Sequence, residues 1–149
     1  MNLSAKRASL GLLVFTLVFS GCVAASEDET IDAVAVSEAK KIDAVRERAE
    51  ALLQLLRAER WKDADDFVLV DEATRQRMGI PEGASRERRR ERIAGWFEGL
   101  YGVLKPGSVR SVRLDPKDPN HAYVDYRCGD LDQFHMHLAE GEWYYTLRY

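Results

Sequence analysis

The chain has few of the residues that cross-link or interrupt a small fold. Its 149 residues include two cysteines, four prolines and three histidines, which excludes a disulfide-rich scaffold. Basic residues do not predominate either, with 22 Lys and Arg against 25 Asp and Glu, so a general nucleic-acid binder is not expected. The G-x-S-x-G, H-E-x-x-H and P-loop patterns are also missing. None of the chemistries that those motifs perform is therefore indicated.

The longest apolar run is too short to cross a bilayer. It covers residues 8–19, whereas a spanning helix needs roughly 20 apolar residues. Lys6 and Arg7 precede the run, and residues 17–22 (LVFSGC) end it. A basic start, an apolar centre and small residues before a cleavage point are the layout of a secretory signal peptide. The end of the run resembles the lipobox of bacterial lipoproteins, whose cysteine is acylated with fatty acids such as palmitate and becomes the first mature residue.

The resemblance implies a signal peptide over residues 1–21 and a lipid anchor on Cys22. Val23 follows the cysteine where lipoproteins retained at the inner membrane usually carry Asp, so the resemblance implies an outer-membrane protein of the cell envelope that faces the periplasm. Two alternatives remain open at this point. Residues 23–25 (VAA) also resemble an A-x-A cleavage site that would release a soluble protein, and the apolar run could be retained as a membrane anchor.

Removal of the leader leaves 20 basic against 25 acidic residues, a net charge of −5. Cys128 then has no cysteine partner within the chain, and it is predicted to be a buried apolar residue. Residues 22–37 are small or acidic and lack aromatics, which predicts a flexible acidic tether. Residues 38–149 form one predicted α+β domain, since that length suits a single core.

Helical periodicity covers the first half of this domain. A long helix is predicted from Ser37 onward, with one apolar stripe. Two short helices are predicted next, one around residues 61–68 and one over residues 72–78. Ser85 is predicted to cap a last helix, which opens with the charged run 86–92 and ends before Pro106. The stripe of the long helix is made of Ile42, Val45, Ala49, Leu52, Leu53 and Leu56, and the buried face of the last helix is made of Ile93, Trp96, Phe97, Leu100 and Leu104.

In the second half of the domain, apolar and polar residues alternate as they do in β-strands. Four strands are predicted over residues 109–114, 121–128, 133–139 and 142–149, and Trp143, Tyr145, Leu147 and Tyr149 are expected on the apolar face of the last one. One pairing register of the two middle strands puts their apolar residues on the same face of the sheet. It is built from the pairs Cys128–Phe134, Tyr126–Met136 and Val124–Leu138, with Arg127–His135 and Asp125–His137 on the outer side.

Helices followed by an antiparallel meander resemble the nuclear-transport-factor-two-like superfamily. The features that carry the resemblance are the segment 60–67, the helix with WF at 96–97 and YG at 101–102, and the final strand GEWYY at 141–145. The resemblance implies N-terminal helices packed on a curved antiparallel sheet of about four strands, in the shape of a cone. It also implies a non-catalytic binding or scaffolding role in the envelope, with a ligand pocket near Tyr126, Met136, Trp143 and Tyr145.

The alternative that the resemblance allows is a small pocket enzyme of isomerase or hydrolase type. Enzymes of the superfamily use a pocket Asp or His as general base, but the predicted register puts the acids and histidines on the opposite face. No catalytic residue and no cofactor is therefore predicted.

Three further surface features carry charged or aromatic residues. His135 and His137 form an H-x-H pair whose side chains point the same way, with Asp125 nearby, but no further Cys or H-x-x-x-H partner accompanies them, so no metal is predicted. The run 86–92 suits either a solvated, ion-paired helix face or attraction to anionic headgroups or an acidic partner. The outer sheet face with Tyr123, Tyr144 and Arg148 suits a homodimer surface. The expected partners are thus the membrane, through the anchor, and a second copy or another envelope protein.

Overall fold

The structure is a computed structural model that describes the backbone of residues 27–147 and the side chains of 36–147, except Leu131. The predicted signal peptide, Cys22, Arg148 and Tyr149 lie outside the described residues. The helices are α1 (Glu27–Arg57), a 3₁₀ helix (Trp61–Phe67), α2 (Glu72–Met78) and α3 (Arg86–Tyr101), and the strands are β1 (Ser111–Asp115), β2 (Asp118–Cys128), β3 (Leu131–Ala139) and β4 (Glu142–Thr146). The predicted α+β class, with helices packed on a curved antiparallel sheet, is confirmed. Within the described part of the chain, no helix combines the length and the apolar character needed to span a bilayer.

Helix α1 begins earlier than the sequence pattern indicated. It starts at Glu27, so residues 27–37 are helical and the helix start predicted at Ser37 is wrong. Alanine and glutamate are good helix formers, and the acidic residues at 27–29 stand where negative charge favours a helix start. The acidic composition that suggested a solvated tether is therefore also what begins the helix.

Helix α1 buries the predicted apolar stripe against the sheet. Val45 is the first fully buried residue of the stripe, and Ile42 is partly buried. The remaining stripe residues are at most 1 % exposed and comprise Ala49, Leu52, Leu53 and Leu56. At about 1.5–3 kcal/mol for each fully buried aliphatic side chain larger than alanine, this stripe contributes strongly to the stability of the domain.

The ends of α2 and α3 follow their capping residues. The Asp71 carboxylate accepts a hydrogen bond from the Thr74 N–H (2.9 Å), and the Ser85 hydroxyl accepts one from the Arg88 N–H (3.3 Å). Gly79 ends α2 in the left-handed region at φ 63°, where glycine has no Cβ penalty. The predicted bounds of α2 and the predicted Ser85 cap are confirmed.

The predicted buried face of α3 is correct only in part. Ile93 and Phe97 are fully buried, but Leu104 is 53 % exposed. The helix stops at Tyr101, and the Tyr101 ring takes the last buried position instead. The prediction for Leu104 is wrong because it extended helical periodicity beyond the end of the helix.

The strands pair in chain order, β1-β2-β3-β4, and every pair is antiparallel. The predicted β2–β3 register is wrong by four residues, because Phe134 pairs with Val124 and not with Cys128. Cys128 pairs with Leu131, so the turn is shorter than the sequence suggested, and Gly129 provides its positive φ. The observed pairs are His121–His137, Ala122–Met136, Tyr123–His135, Val124–Phe134 and Asp125–Gln133.

The error of four residues is even, so each side chain keeps its predicted face. Val124, Phe134 and Met136 are all buried on the inner face. Cys128 is a free, buried cysteine as predicted, and its thiol donates to the Leu104 carbonyl at 3.0 Å. Burial raises the pKa of this thiol, which keeps it in the unreactive form.

A buried ion pair joins the 3₁₀ helix to α3. The Arg89 guanidinium donates to both Asp65 oxygens, at 2.8 and 2.9 Å, and the Asp65 side chain is only 2 % exposed. Two parallel N–H···O bonds are the strong geometry for this pair. The surrounding pairs confirm the ion-paired interpretation of the run 86–92, and they are Arg86–Asp65, Arg86–Asp66, Arg90–Asp63, Arg90–Glu87 and Lys62–Glu87.

We predict that Asp65→Ala lowers the free energy of unfolding by about 2–3 kcal/mol, because it leaves the Arg89 charge without its partner. Removing one member of a buried pair costs roughly 3–5 kcal/mol, and the partial exposure of Arg89 reduces that figure. Urea denaturation of the mature chain measures the loss. Arg86→Ala is the matched control, since Arg86 is 71 % exposed and should cost less than about 1 kcal/mol. Equal losses in the two variants would contradict a special role for Asp65.

Candidate functional site

The predicted pocket residues belong to the hydrophobic core. Tyr126, Met136, Trp143 and Tyr145 are all buried, with exposures of 1, 0, 4 and 6 %. The Tyr145 ring packs edge-on against Phe97 of α3, with 5.3 Å between the ring centroids. Side chains from α1 and α3 therefore occupy the space that an open cone would leave for a ligand, and the expectation of a pocket among these four residues is corrected.

The polar groups of this core satisfy one another. The hydroxyls of Tyr101 and Tyr126 lie 2.7 Å apart and share a hydrogen bond. Burial is the main reason that the pKa of Tyr101 is raised far above its ordinary value, and the neighbouring Tyr126 adds to it. The pair therefore remains neutral, and it resembles a structural contact more than a catalytic group.

Asp125 does not join the H-x-H pair as the predicted register required. Its carboxylate accepts hydrogen bonds from the Ser111 hydroxyl and from the Gln133 amide, the latter at 2.7 Å. These two hydrogen bonds, that of Ser111 first, lower the pKa of Asp125. The prediction that Asp125 faces His137 is wrong because the true register puts Gln133 opposite Asp125. Among the described residues, no group of three or more His, Cys, Asp or Glu side chains is arranged to hold a metal ion.

A different set of residues meets on the outer face. All three histidines of the chain stand on this face of β2 and β3, and His121 reaches diagonally to His135. His121 Nε2 lies 2.9 Å from His135 Nδ1, and His121 Nδ1 lies 3.2 Å from Asp115 Oδ2. The Tyr123 hydroxyl donates to the same Asp115 oxygen at 3.0 Å. We call Asp115, His121, Tyr123 and His135 the outer-face histidine cluster.

The rings of this cluster pack on one another. The His121 and His135 rings are stacked at 5.1 Å, and the Tyr123 ring lies 4.8 Å from His121 and 5.1 Å from His135. The side chains of His121 and Asp115 are 16 and 18 % exposed. The cluster is therefore ordered and partly shielded, but solvent still reaches it.

The charges of the cluster are set by its contacts. The Lys117 backbone N–H donates to Asp115 at 2.8 Å, and this bond, followed by those of His121 and Tyr123, lowers the pKa of Asp115. Burial, and then the nearby His121, lower the pKa of His135. The hydrogen bond to Asp115 raises the pKa of Tyr123. At neutral pH the cluster thus combines a carboxylate, a neutral His135 imidazole and a phenol.

Sequence reasoning named His135, and it placed Tyr123 on the outer face as part of a dimer surface, but it missed His121 and Asp115. Strand alternation does place His121 and Tyr123 on the outer face. The missing step was the hairpin length, because only the true register brings β2 residues 121 and 123 beside His135. Asp115 reaches the cluster from the end of β1, where the β1–β2 register shifts.

A second feature is a surface groove of about 620 Å³, which we call the Arg48 groove. Arg48 donates to the Asp66 carbonyl at 2.6 Å and to the Trp143 carbonyl at 3.3 Å, and it pairs with Glu142 at 3.2 Å. Its guanidinium also stacks 4.0 Å above the Phe67 ring. The groove is lined by Arg48, Asp65, Asp66, Val68, Leu69, Val70, Arg89, Ala139, Glu140, Glu142 and Tyr144.

The buried acid of the Arg48 groove is already engaged. Both oxygens of Asp65 accept hydrogen bonds from Arg89, which leaves that carboxylate poorly placed to act as a general base. The carboxylates on the rim, in contrast, are exposed: Asp66 is 71 % and Glu142 59 % exposed. The groove is therefore suited to contact a partner more than to perform acid–base chemistry.

Comparison with known proteins adds no relative to these observations. No family model, no curated protein and no solved structure matches the chain.

Proposed function

We propose that the chain is a lipid-anchored bacterial envelope lipoprotein and that its domain is a non-catalytic binding or scaffolding module. The lipobox-like segment 17–22 supports the anchor on Cys22, and Val23 supports the outer membrane as the location, with the domain in the periplasm. The order of the elements, helices first and then an antiparallel meander, supports membership of the nuclear-transport-factor-two-like superfamily.

The way the interior is filled supports the binding role. Phe97, Tyr126 and Met136 lie between the helices and the sheet with at most 1 % exposure. A small pocket enzyme of this architecture needs that space for its substrate. Because core side chains occupy it here, the outer surfaces are left to carry the function.

The start of α1 supports a stalk between the membrane and the domain. Glu38, Lys41 and Ile42 border a groove with Pro116 of the β1–β2 turn and Pro119 of β2, so the folded domain begins near residue 38. Residues 27–37 precede it as helix and span about 16 Å at 1.5 Å per residue. Such a helix holds the domain away from the headgroups while the lipid keeps it at the surface.

The Arg48 groove is the proposed partner surface. Asp66, Glu140 and Glu142 bring negative charge to its rim, and Tyr144 adds an aromatic surface. The lining holds four carboxylates against two guanidiniums, so it keeps a net negative charge although Arg48 pairs with Glu142 and Arg86 pairs with Asp66. A basic segment of another envelope protein therefore suits this groove best.

The anchor gives the first test of this proposal. In cells grown with radiolabelled palmitate, the chain should incorporate the label and fractionate with membranes, because acyl chains hold a protein on a bilayer. Cys22→Ser should abolish the label and the fractionation, whereas Cys128→Ser should leave both unchanged, since Cys128 is buried in the domain. An unlabelled wild-type chain in the culture fluid would contradict the anchor.

Photo-crosslinking tests the partner surface. A photoreactive phenylalanine analogue at Tyr144, inside the Arg48 groove, should give a discrete covalent adduct in intact cells. The same analogue at Arg127, an exposed position at the far end of β2, is the control and should give none. Adducts of equal yield from both positions, or none from Tyr144, would contradict the groove as the partner surface.

A further inference from the structure

Two imidazole nitrogens of the outer-face histidine cluster stand at nearly the separation of a metal-chelating pair. His121 Nε2 and His135 Nδ1 are 2.9 Å apart. Zinc binds imidazole nitrogen at about 2.0–2.1 Å, so two nitrogens on one tetrahedral ion lie about 3.3 Å from each other. Separating the two nitrogens by about 0.4 Å, and rotating the rings so that both lone pairs point at one ion, exchanges the shared hydrogen bond for a metal ion.

We propose that the outer-face histidine cluster binds one divalent late first-row transition-metal ion, such as Cu²⁺ or Zn²⁺, between His121 Nε2 and His135 Nδ1. Imidazole favours these ions over Mg²⁺ and Ca²⁺, which prefer oxygen, and Cu²⁺ is the tightest of the divalent series. The site differs from the H-x-H hypothesis, because His137 and Asp125 take no part in it. It depends only on the cluster and not on the proposed anchor.

Asp115 orients the first ligand. With His121 Nδ1–H donating to Asp115, the Nε2 lone pair is directed toward His135. A carboxylate behind a ligating histidine fixes the tautomer and increases the basicity of the ligand. Asp115 is itself held by the Tyr123 hydroxyl and by the Lys117 N–H, so the support extends to a second layer of hydrogen bonds.

The second ligand is His135 Nδ1, which shares one hydrogen with His121 Nε2 in the metal-free cluster. When both nitrogens bind one ion, that hydrogen leaves the space between the rings by exchange with water. His121 then carries its proton on Nδ1, toward Asp115, and His135 carries its proton on Nε2, so both rings coordinate as neutral imidazoles.

The surroundings are compatible with a cation. Asp115 contributes a negative charge, 3.2 Å from His121 Nδ1, that offsets part of the charge of the ion. Arg113 is the positive side chain contributed by β1, and it is engaged by Asp125 at 3.8 Å and by the Tyr123 ring at 5.4 Å. Among the described residues, His137 shares this face on β3, and Tyr144 and Thr146 of β4 pair with His137 and His135.

Two protein ligands make an exchangeable site. His121 and Asp115 are only partly exposed, so an ion can enter, and water completes its coordination. Closed structural zinc sites use four protein ligands. The cluster is therefore suited to hold a labile ion at the surface of the protein, where a partner can add a further ligand.

Calorimetric titration of the full mature chain, purified without a histidine tag, tests the proposal with CuCl₂ and ZnCl₂ as probes at pH 7.5. One ion should bind per chain, and MgCl₂ should give no heat of binding. His121→Gln and His135→Gln should each weaken binding at least tenfold. Asp115→Asn should weaken it by about tenfold, the lower end of the effect of lost ligand support. His137→Gln is the matched control from the same strand and face and should stay within twofold.

The copper spectrum of the unaltered protein gives a second readout, which does not depend on whether the variants fold. Electron paramagnetic resonance should show hyperfine coupling from two imidazole nitrogens. Nitrogen NMR with Zn²⁺ should shift His121 Nε2 and His135 Nδ1 and leave His137 in place. Several ions per chain with no loss in the His121 or His135 variants would mean adventitious surface binding only and would overturn the proposal. So would a loss confined to His137→Gln, or a spectrum without nitrogen coupling.

Discussion

The packing of α1 against the inner face of the sheet is the contact on which the rest of the structure depends. Val45, Ala49, Leu52, Leu53 and Leu56 present one continuous apolar stripe, and the inner residues of β2–β4 are its counterpart. Burial of this area supplies most of the driving force for a domain without disulfides. The same packing fills the interior, so it also determines where a ligand or a partner can bind.

As a consequence, the polar side chains of β2 and β3 lie on the outer face of the sheet. Alternation along β2 and β3 sends their inner residues into the core and sends His121, Tyr123 and His135 to the outer face. There the three rings meet Asp115, which arrives from the end of β1. Near the β3–β4 turn, Arg48 ties α1 to the 3₁₀ helix and to β4 and lines a groove. The histidine cluster and the Arg48 groove are both formed by residues that the packed core leaves at the surface.

The sequence predicted those parts of the fold that depend on local periodicity. The stripe of α1, the bounds of α2 and the Ser85 cap follow from spacing and from capping chemistry, and the structure contains all three. The β2–β3 partners were missed because the hairpin turn at Gly129 is tighter than the turn residues suggested. The register error was an even number of residues, so each side chain was predicted on the correct face of the sheet but opposite the wrong neighbour. The histidine cluster could not be predicted, because it depends on which residues are neighbours across the strands. The composition of residues 22–37 likewise could not distinguish a tether from a helix.

The most direct test of the filled interior is the free energy of unfolding of Met136→Ala, measured in urea on the mature chain. Met136 is fully buried, and truncation of a core methionine costs roughly 2–5 kcal/mol. His137→Ala is the adjacent control, since that side chain points to the outer face and should cost less than about 1 kcal/mol. A loss of about 2 kcal/mol or more for Met136→Ala alone is the result expected of a packed core. A loss below about 0.5 kcal/mol would mean that Met136 lines an open pocket, and it would contradict the account.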